Sequence, residues 1–540
     1  MVIKAFVFIR VYPCNLWLRN NMALSKTIQC AAVDLGATSG RVIVGTWAKN
    51  RLTLTEVHRF PNQFRSVGGH DYWDIPGLWT EIVVGLRIAK KRFPRLASVG
   101  VDTWGVDHVL LNDAGRMVFP THAYRDARTQ SGLQRLANTR AALERIYAAT
   151  GIPNVFYNSS LQLEETVAHC PAVADVATRC LFLPDYFNFL LSGRMENEIS
   201  FASTTQLLDV HGTDWSRAAL DHFHIPATWF TTPIKANTLL GPVRNFPELK
   251  GVKVVAVPGH DTACAYDAMP ADPAGGDLYI SSGTWSLVGF ESDKPVLGRE
   301  ALTARISNER IGDGRYRPLT NVIGLWLLEQ TLKEFTARPK NDTEWAKLIT
   351  AAGKLPSPGG PPLAGAPSSK VAAVVRPLDS RLTTAATSRS RSADKRRPYL
   401  LDCTDPAFVN PSSMRAAIDA QLKKRRLPLP KNLAGYVRLI CDSLGQGHAA
   451  ALRAFERLAG RKFQRILIVG GGSKNRLLCQ ATADASGLPV HAFTLEGTAV
   501  GNIASQLIGL KAVRNLSAFR EHFAKQITAT IYRPQLKGES

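Results

Sequence analysis

Two short acidic motifs close apolar runs of the chain, GVDTWGVD at residues 100–107 and PGHDTA at residues 258–263. The runs they end, LASVGVD and VKVVAVPGHD, read as strands, and strand ends are where α/β proteins place ligands. Transfer of a phosphoryl group to an alcohol needs one positioned group to accept the hydroxyl proton, and N–H donors or cations to meet the developing phosphate charge. Asp261 is the carboxylate best placed for the first task, with His260 beside it as a competitor. A His-Asp pair can also be a turn capped by its aspartate.

Donors for the phosphates have three candidate sources. DLGATSGR, Asp34 to Arg41, sets an acidic residue at a strand end before a turn of small residues. Oriented amides in such a turn form an anion-binding concavity, and the nearby carboxylate can hold a metal ion through water. ISSGTWS, with Gly283 and Thr284, is a second turn of the same kind, and two such turns could grip one polyphosphate from opposite sides. VGGGSKN, Val469 to Asn475, joins an apolar strand to a helix, and its glycines would let a flat adenosine lie on the backbone. Each has a plainer alternative: hairpin turns favour Gly, Ser and Thr, and helix–strand packing also selects glycines. No Gly-Lys-Ser/Thr follows the first turn, which excludes a Walker loop.

The elements that must carry these motifs repeat. From Ile28, three β-rich runs, IQCAAVDLG, RVIVGTW and LTLTEVHRF, are separated by ATSG and KNR and form an antiparallel meander. A helix is expected from about Asp74 to Phe93, with Ile75, Leu78, Ile82, Val83, Leu86 and Ile88 on its apolar face, and then the strand SVGVDTWG. The second half returns to the same design: ISSGTWSLVGF, from Ile280 to Phe290, repeats the hairpin, and RILIVGGGSKNRLLCQATADASG supplies strand, glycine turn and helix. A duplicated α/β domain is expected.

The chain of 540 residues has room for two to four domains. Its net charge of +22 suggests nucleic acid until the charge is located. Residues 1–29 carry +4 and residues 351–400 carry +7, so half of the excess lies in two atypical segments. The segment 354–398 is rich in Pro, Gly, Ser, Ala and Arg, has no aromatic residue to stack on bases, and reads as a disordered insertion. Residues 1–27 lack a cleavage signature and are set aside from the fold. The eight cysteines form no CxxC pair or Cys/His cluster, as expected of reduced thiols in the cytoplasm rather than a zinc site. No run of about 18 apolar residues predicts a membrane span.

The ordered set DLGATSGR, HRFPN, GHDYWD, VDTWGVDHVLL, YRDART, LPDYFNFLLSG, GHDTA, SSGTWSLVGFES, NVIGLWLLEQT, NPSSM and VGGGSKN resembles the FGGY carbohydrate kinases, and most closely the branch acting on L-rhamnulose. The resemblance runs from about Ile28 to Phe523, apart from the insertion. It implies two actin-like, RNase-H-like domains, residues 28–270 on the sugar side and 271–525 on the nucleotide side, with an ATP/sugar cleft between them. The implied reaction in rhamnose catabolism is ATP-dependent phosphorylation of the 1-hydroxyl of L-rhamnulose, with Mg²⁺. Carried over by motif, Ala37, Thr38, Ser39, Gly40, Arg41 and Thr284 would face the ATP phosphates, and Gly471 the adenosine. Asp261 would accept the proton, Gly105, His260, Thr262 and Asn321 would contact the sugar, and Asp34 would help place magnesium. Two departures stand out. Glu329 occupies the position of a nucleotide-contacting glutamine, with Gln330 after it, and a carboxylate there repels phosphate unless it points elsewhere. The other is the insertion. Kinases for L-fuculose or D-xylulose are alternatives, since one pocket contact can set selectivity. A weakly catalytic ATP- or sugar-binding regulator is another, opposed by the retention of Asp261 with both phosphate turns. The expected partners are the sugar and ATP, with no membrane and no specific nucleic acid.

Overall fold

A computed structural model describes residues 27–272, 274–356, 399–408 and 411–535 of the chain. The leading segment before residue 27, and the basic insertion beyond residue 356, lie outside the described residues.

Two mixed sheets organise the molecule. In the first, Arg51–Pro61, Ser39–Ala48 and Ile28–Leu35 form the expected meander, and Leu96–Thr103 and Lys253–Ala256 extend it in parallel, with Thr238–Pro242 antiparallel at the edge. The second sheet repeats this plan. Tyr316–Ile323, Trp285–Gly289 and Asp277–Ser282 make a meander, Arg465–Val469 and Val490–Ala492 add two parallel strands, and Ser307–Arg310 and Thr530–Tyr532 close the two edges. Polar and apolar residues alternate in the edge strand Arg51–Pro61, whereas in Ile28–Leu35 Ala31, Ala32 and Val33 are all buried because helices cover both faces.

Local chemistry sets the connections. Lys49 and Asn50 both have positive φ, 50° and 60°, which makes a two-residue turn of the kind that matches strand twist. Arg51 therefore belongs to the strand and not to the turn. The first helix runs from Ile75 to Arg92, capped by the Asp74 side chain on the Gly77 N–H and ending in Lys90, Lys91 and Arg92. Its buried face includes Ala89 instead of the expected Ile88, since the 3.6-residue period from Ile82 and Leu86 continues to Ala89.

One face of the first sheet is covered by this helix and by Leu183–Ser192, around Val33, Val42, Leu86, Val99 and Phe187. The other is covered by the chain's last helices, Gly497–Gly509 and Leu516–Ala524, which bury Cys30, Ala32, Ile43 and Trp47 under Val500, Ile503, Leu507 and Phe519. The end of the chain thus returns to the beginning. A third cluster around Leu161, Phe182, Phe201 and Trp229 forms a helical lobe on the first domain, against which the Ser307–Arg310 edge strand packs. The seven described cysteines are unpaired, and among the described residues no helix is long and apolar enough to cross a membrane.

Candidate active site

The parallel pairing of Ile28–Leu35 with Leu96–Thr103 sets Asp34 directly beside Asp102. The Thr103 N–H donates to Gly259 O at 2.9 Å, which brings the PGHDTA turn alongside and Asp261 within electrostatic reach of both. Asp102 was legible only as the end of a strand, and the structure makes it part of a three-carboxylate group. Burial first, and then the Asp34 charge, hold the Asp102 carboxyl well above the usual carboxylate range. Asn502 from the Gly497–Gly509 helix donates to Asp102 Oδ2 at 2.6 Å, while Oδ1 has no partner among the described residues.

Burial also raises the Asp34 carboxyl, against the opposing pull of Arg41, whose Nη2 lies 2.5 Å from Asp34 Oδ2. Arg41 Nη1 reaches Glu496 at 2.6 Å, at the start of the Gly497–Gly509 helix. The turn itself is Gly36, Ala37 and Thr38, with Thr38 exposed; Ser39 and Gly40 are already in the strand. Gly40 has a packing reason, because a Cβ there would fall 2.3 Å from the Phe60 ring.

Asp261 opens the Asp261–Asp267 helix. Its Oδ1 accepts from the Thr262 hydroxyl at 3.0 Å and lies 3.3 Å from His260 Nε2. Glu198, which sequence reasoning missed, pins this turn: its Oε2 accepts the Gly259 N–H at 2.9 Å and the Ser200 hydroxyl at 2.6 Å. Gly105 faces His260 so closely that a Cβ would sit 3.3 Å from Nε2. The next residue, Val106, has φ of 73°, a left-handed conformation that a β-branched residue adopts only under constraint. The constraint is visible. Val106 O accepts from Ser159 at 2.5 Å, and buried Asp107 accepts from the indoles of Trp73 and Trp104 at 2.6 and 2.8 Å and from Gln162 at 3.1 Å.

The remaining predicted residues gather on the second domain. Gly283 and Thr284 form the turn between Asp277–Ser282 and Trp285–Gly289, and their carbonyls accept from Leu325 and Trp326 at 2.9 and 3.2 Å, so the Trp326–Lys333 helix starts against the turn. Glu329 is exposed on the first turns of that helix. Of the three glycines, Gly470 and Gly472 are demanded by packing, since a Cβ would lie 2.6 Å from Ser282 O and 2.0 Å from Ser282 Oγ. Gly471 has room and is exposed, which leaves it as the one open to a ligand. Asn321 donates to the Tyr157 hydroxyl at 3.1 Å across the domain junction. Tyr157 stands in IPNVFYNSS, next to Phe156, where an aromatic pair gives no sequence signal. Among the described residues no hydrogen bond or ion pair joins Thr284, Gly471 or Glu329 to the Ala37–Gly40 turn: the predicted residues form two groups, one on each domain.

Among the described residues no three His, Cys, Asp or Glu side chains converge closely enough to ligate a metal. A hard cation that keeps its waters and takes substrate phosphates, as Mg²⁺ does, needs only one or two carboxylates. The orphaned Asp102 Oδ1 beside Asp34 fits that kind of water-mediated site.

Residues 30–266 match the N-terminal domain of the FGGY family of carbohydrate kinases, and residues 278–510 its C-terminal domain. The chain is 36% identical over 513 residues to rhamnulokinases from two strains of Klebsiella pneumoniae, covering 94% of this chain and 95% of each relative. Its fold is similar to those of a gluconate kinase from Lactobacillus acidophilus, with a TM-score of 0.71 at 13% identity, and of a xylulose kinase from Rhodospirillum rubrum, with 0.69 at 18%; each comparison covers 94% of both chains.

Proposed function

Because the chain belongs to the FGGY family of carbohydrate kinases, we propose that it transfers the γ-phosphoryl group of ATP to the 1-hydroxyl of L-rhamnulose, in the cytoplasm and as a step of rhamnose catabolism. The observation that carries the substrate is the 36% identity to rhamnulokinases over nearly the whole of both chains. Asp261 is the proton acceptor in this reading. Its Oδ1 is engaged by Thr262 and faces His260, which leaves Oδ2 for the acceptor hydroxyl. A carboxylate in hydrogen-bond reach of an alcohol takes its proton as the oxygen attacks phosphorus. Gly105, His260, Thr262 and Asn321 form the sugar side, the strained Val106 loop fixing Gly105 against His260.

Ala37, Thr38, Ser39, Gly40 and Arg41 meet the phosphates from the first domain, Thr284 from the second, with Gly471 under the adenosine. Arg41 carries two carboxylate partners, so phosphate competes with Asp34 and Glu496 for its guanidinium. Mg²⁺ bound with ATP would be held by Asp34 through water, with Asp102 beside it, and would supply charge neutralisation of the β- and γ-phosphates. Coupled ADP release over L-rhamnulose, L-fuculose, D-xylulose, L-ribulose and glycerol tests the reading. L-Rhamnulose gives the highest kcat/KM and glycerol a poor one. Another ketose better by tenfold, about 1.4 kcal/mol of discrimination, keeps the family and overturns the substrate. Asp261→Asn loses turnover by on the order of 10²–10⁴, and full activity in that variant overturns the base.

A further inference from the structure

Behind His260 lies a charged pair from the second domain to which the proposed phosphoryl transfer gives no role. Glu309 and Arg317 oppose each other in the antiparallel register of Ser307–Arg310 and Tyr316–Ile323, and their side chains form a buried ion pair. Arg317 is completely buried, yet its Nε and Nη1 have no partner among the described residues. Two nitrogens of a buried guanidinium with no acceptor are a cost to stability, so stability alone is a poor reason for the residue. Its third nitrogen, Nη2, crosses the domain junction to within 2.6 Å of His260 Nδ1.

A guanidinium can only donate. At 2.6 Å from it, Nδ1 must present its lone pair, because an Nδ1–H would set two donors face to face. Glu309 Oε2 also faces Nδ1, at the longer distance of 3.3 Å, with its charge already engaged by Arg317. Although burial pushes the Glu309 carboxyl up, Arg317 first, with His260 and Ser307, together outweigh it and bring the group to about 2, so the pair stays ionised. A neutral imidazole with a bare Nδ1 carries its proton on Nε2, and Nε2 is the nitrogen 3.3 Å from Asp261 Oδ1.

We propose that Glu309 and Arg317 are positioning residues for phosphoryl transfer: they hold His260 as the neutral Nε2–H tautomer with that nitrogen 3.3 Å from Asp261 Oδ1, so that an uncharged imidazole sits against the base and Oδ2 stays free for the acceptor hydroxyl. The inference rests on Asp261 being the base. It also makes the base geometry depend on domain docking. The strand that carries Glu309 is seated on the first domain through Asn308 to Gly151 O at 3.1 Å, Arg310 N to Ser203 Oγ at 2.9 Å and Arg310 Nη2 to Gly212 O at 2.8 Å.

The test uses the full chain with Arg317→Gln, Arg317→Lys, Glu309→Gln, His260→Asn, the double variant Arg317→Gln/His260→Asn, and Asp261→Asn as reference. Coupled ADP release and thermal unfolding are measured on each. Arg317→Gln and Glu309→Gln should lower kcat by about 10–100-fold, the scale of a catalytic group misplaced by an ångström, with KM for ATP within about threefold. Arg317→Lys, which still donates, should recover part of the loss. In the His260→Asn background, Arg317→Gln should cost less than about threefold more, because a residue that acts through His260 has nothing left to position. Equal losses in both backgrounds, or an unchanged kcat in folded Arg317→Gln, overturn the proposal. Should the Arg317 variants not fold, nitrogen-15 spectra of the wild-type chain decide it, with the His260 signals assigned by their loss in His260→Asn. A bare Nδ1 and a protonated Nε2 support the proposal, and an Nδ1–H or a doubly protonated ring overturns it. Full turnover by Asp261→Asn instead overturns the assignment of the base, which separates the two failures.

Discussion

Gly501 sits far along the chain from the reacting groups and touches none of them, yet Gly501→Ala should cripple turnover. It lies where the Gly497–Gly509 helix crosses the Asp261–Asp267 helix, and a Cβ there would fall 1.8 Å from Cys264 O and 2.5 Å from its carbonyl carbon. These are backbone atoms, so no side chain can rotate away. Carbon–oxygen contacts run at about 3.3 Å, so the helices must separate by roughly 1.5 Å. Overpacking of this kind costs about 1–3 kcal/mol, and the better helix propensity of alanine returns about 1 kcal/mol. A net loss of about 0–2 kcal/mol lowers the unfolding midpoint by at most roughly 8 °C in domains of this size. The kinetic effect is larger. Asp261 is the first residue of the displaced helix, and an ångström of misplacement costs on the order of 10² in rate. Coupled ADP release at saturating ATP and sugar should therefore show kcat down about a hundredfold, in a protein that still unfolds cooperatively. Gly353→Ala is the control: it is also helical, nothing lies within 4 Å of its Cβ position, and its activity should not change. A folded Gly501→Ala with kcat within threefold of wild type refutes the argument that this crossing sets the position of the base.

Glu329→Gln should tighten ATP by up to about fivefold in KM, since a carboxylate about 4 Å from phosphate costs about 1 kcal/mol in water; an unchanged KM places Glu329 away from the phosphates. Stability should fall as pH drops from about 6.5 to about 4. His448 is buried, its Nδ1 donates to Thr482 Oγ1 at 3.0 Å, and burial lowers it to about 4. The unfolded chain binds a proton there at a higher pH than the folded one, so the stability present above 6.5 is lost on acidification, by about 3 kcal/mol at most. Thermal unfolding of His448→Gln should be flatter over that window, and an identical pH slope in the variant refutes the assignment. Joining Leu355 to Tyr399 through a short Gly/Ser linker should leave kcat and the unfolding midpoint nearly unchanged, and loss of turnover in a folded deletion variant would make that segment part of the site.

Much of this fold was legible because its signals are local. The meander of Ile28–Pro61 is written in alternating runs and a Lys49–Asn50 turn, and the first helix in a 3.6-residue period with an aspartate cap. The duplicated plan followed from two hairpins, and the second sheet repeats the strand order of the first with Ser307–Arg310 added at one edge. Asp34, Asp102 and Asp261 were visible as residues at strand ends, but their proximity depends on parallel pairing of Asp34 with Asp102 and of Thr103 with His260, between segments distant in sequence, which no local period encodes. Glu198, Tyr157, Glu309, Arg317 and Asn502 were invisible for the same reason. Each is an ordinary polar residue on a helix or strand, and its meaning comes from what the fold sets opposite it. The glycine triplet shows a different limit: composition could not say which glycine serves packing, and only the contacts of Ser282 with Gly470 and Gly472 separate them from Gly471.

The Gly497–Gly509 helix explains why the carboxylate group belongs to neither half of the sequence. It follows the last parallel strands of the second sheet, yet it lies on the first, where Gln506 donates to Ala31 O at 2.9 Å and accepts from Ser98 at 2.6 Å. Asn502 donates to both Gly100 O and Asp102. These bonds grip the two strands whose ends carry Asp34 and Asp102. One residue before the helix, Glu496 takes the second arm of Arg41. Buried amides of this kind are satisfied only in one register, and a slip would leave several unpaired at about 1–3 kcal/mol each. The same helix meets the Asp261–Asp267 helix at Gly501, so one helix holds the Asp34–Arg41 turn, the buried carboxylates and the start of the Asp261–Asp267 helix relative to one another. In the proposed reaction a domain movement around ATP would change the distance to Thr284 and Gly471 while these bonds keep Asp34 and Asp102 together. It would act on the side of the site built by the second sheet, where Asn321, Glu309 and Arg317 reach across to Tyr157 and His260.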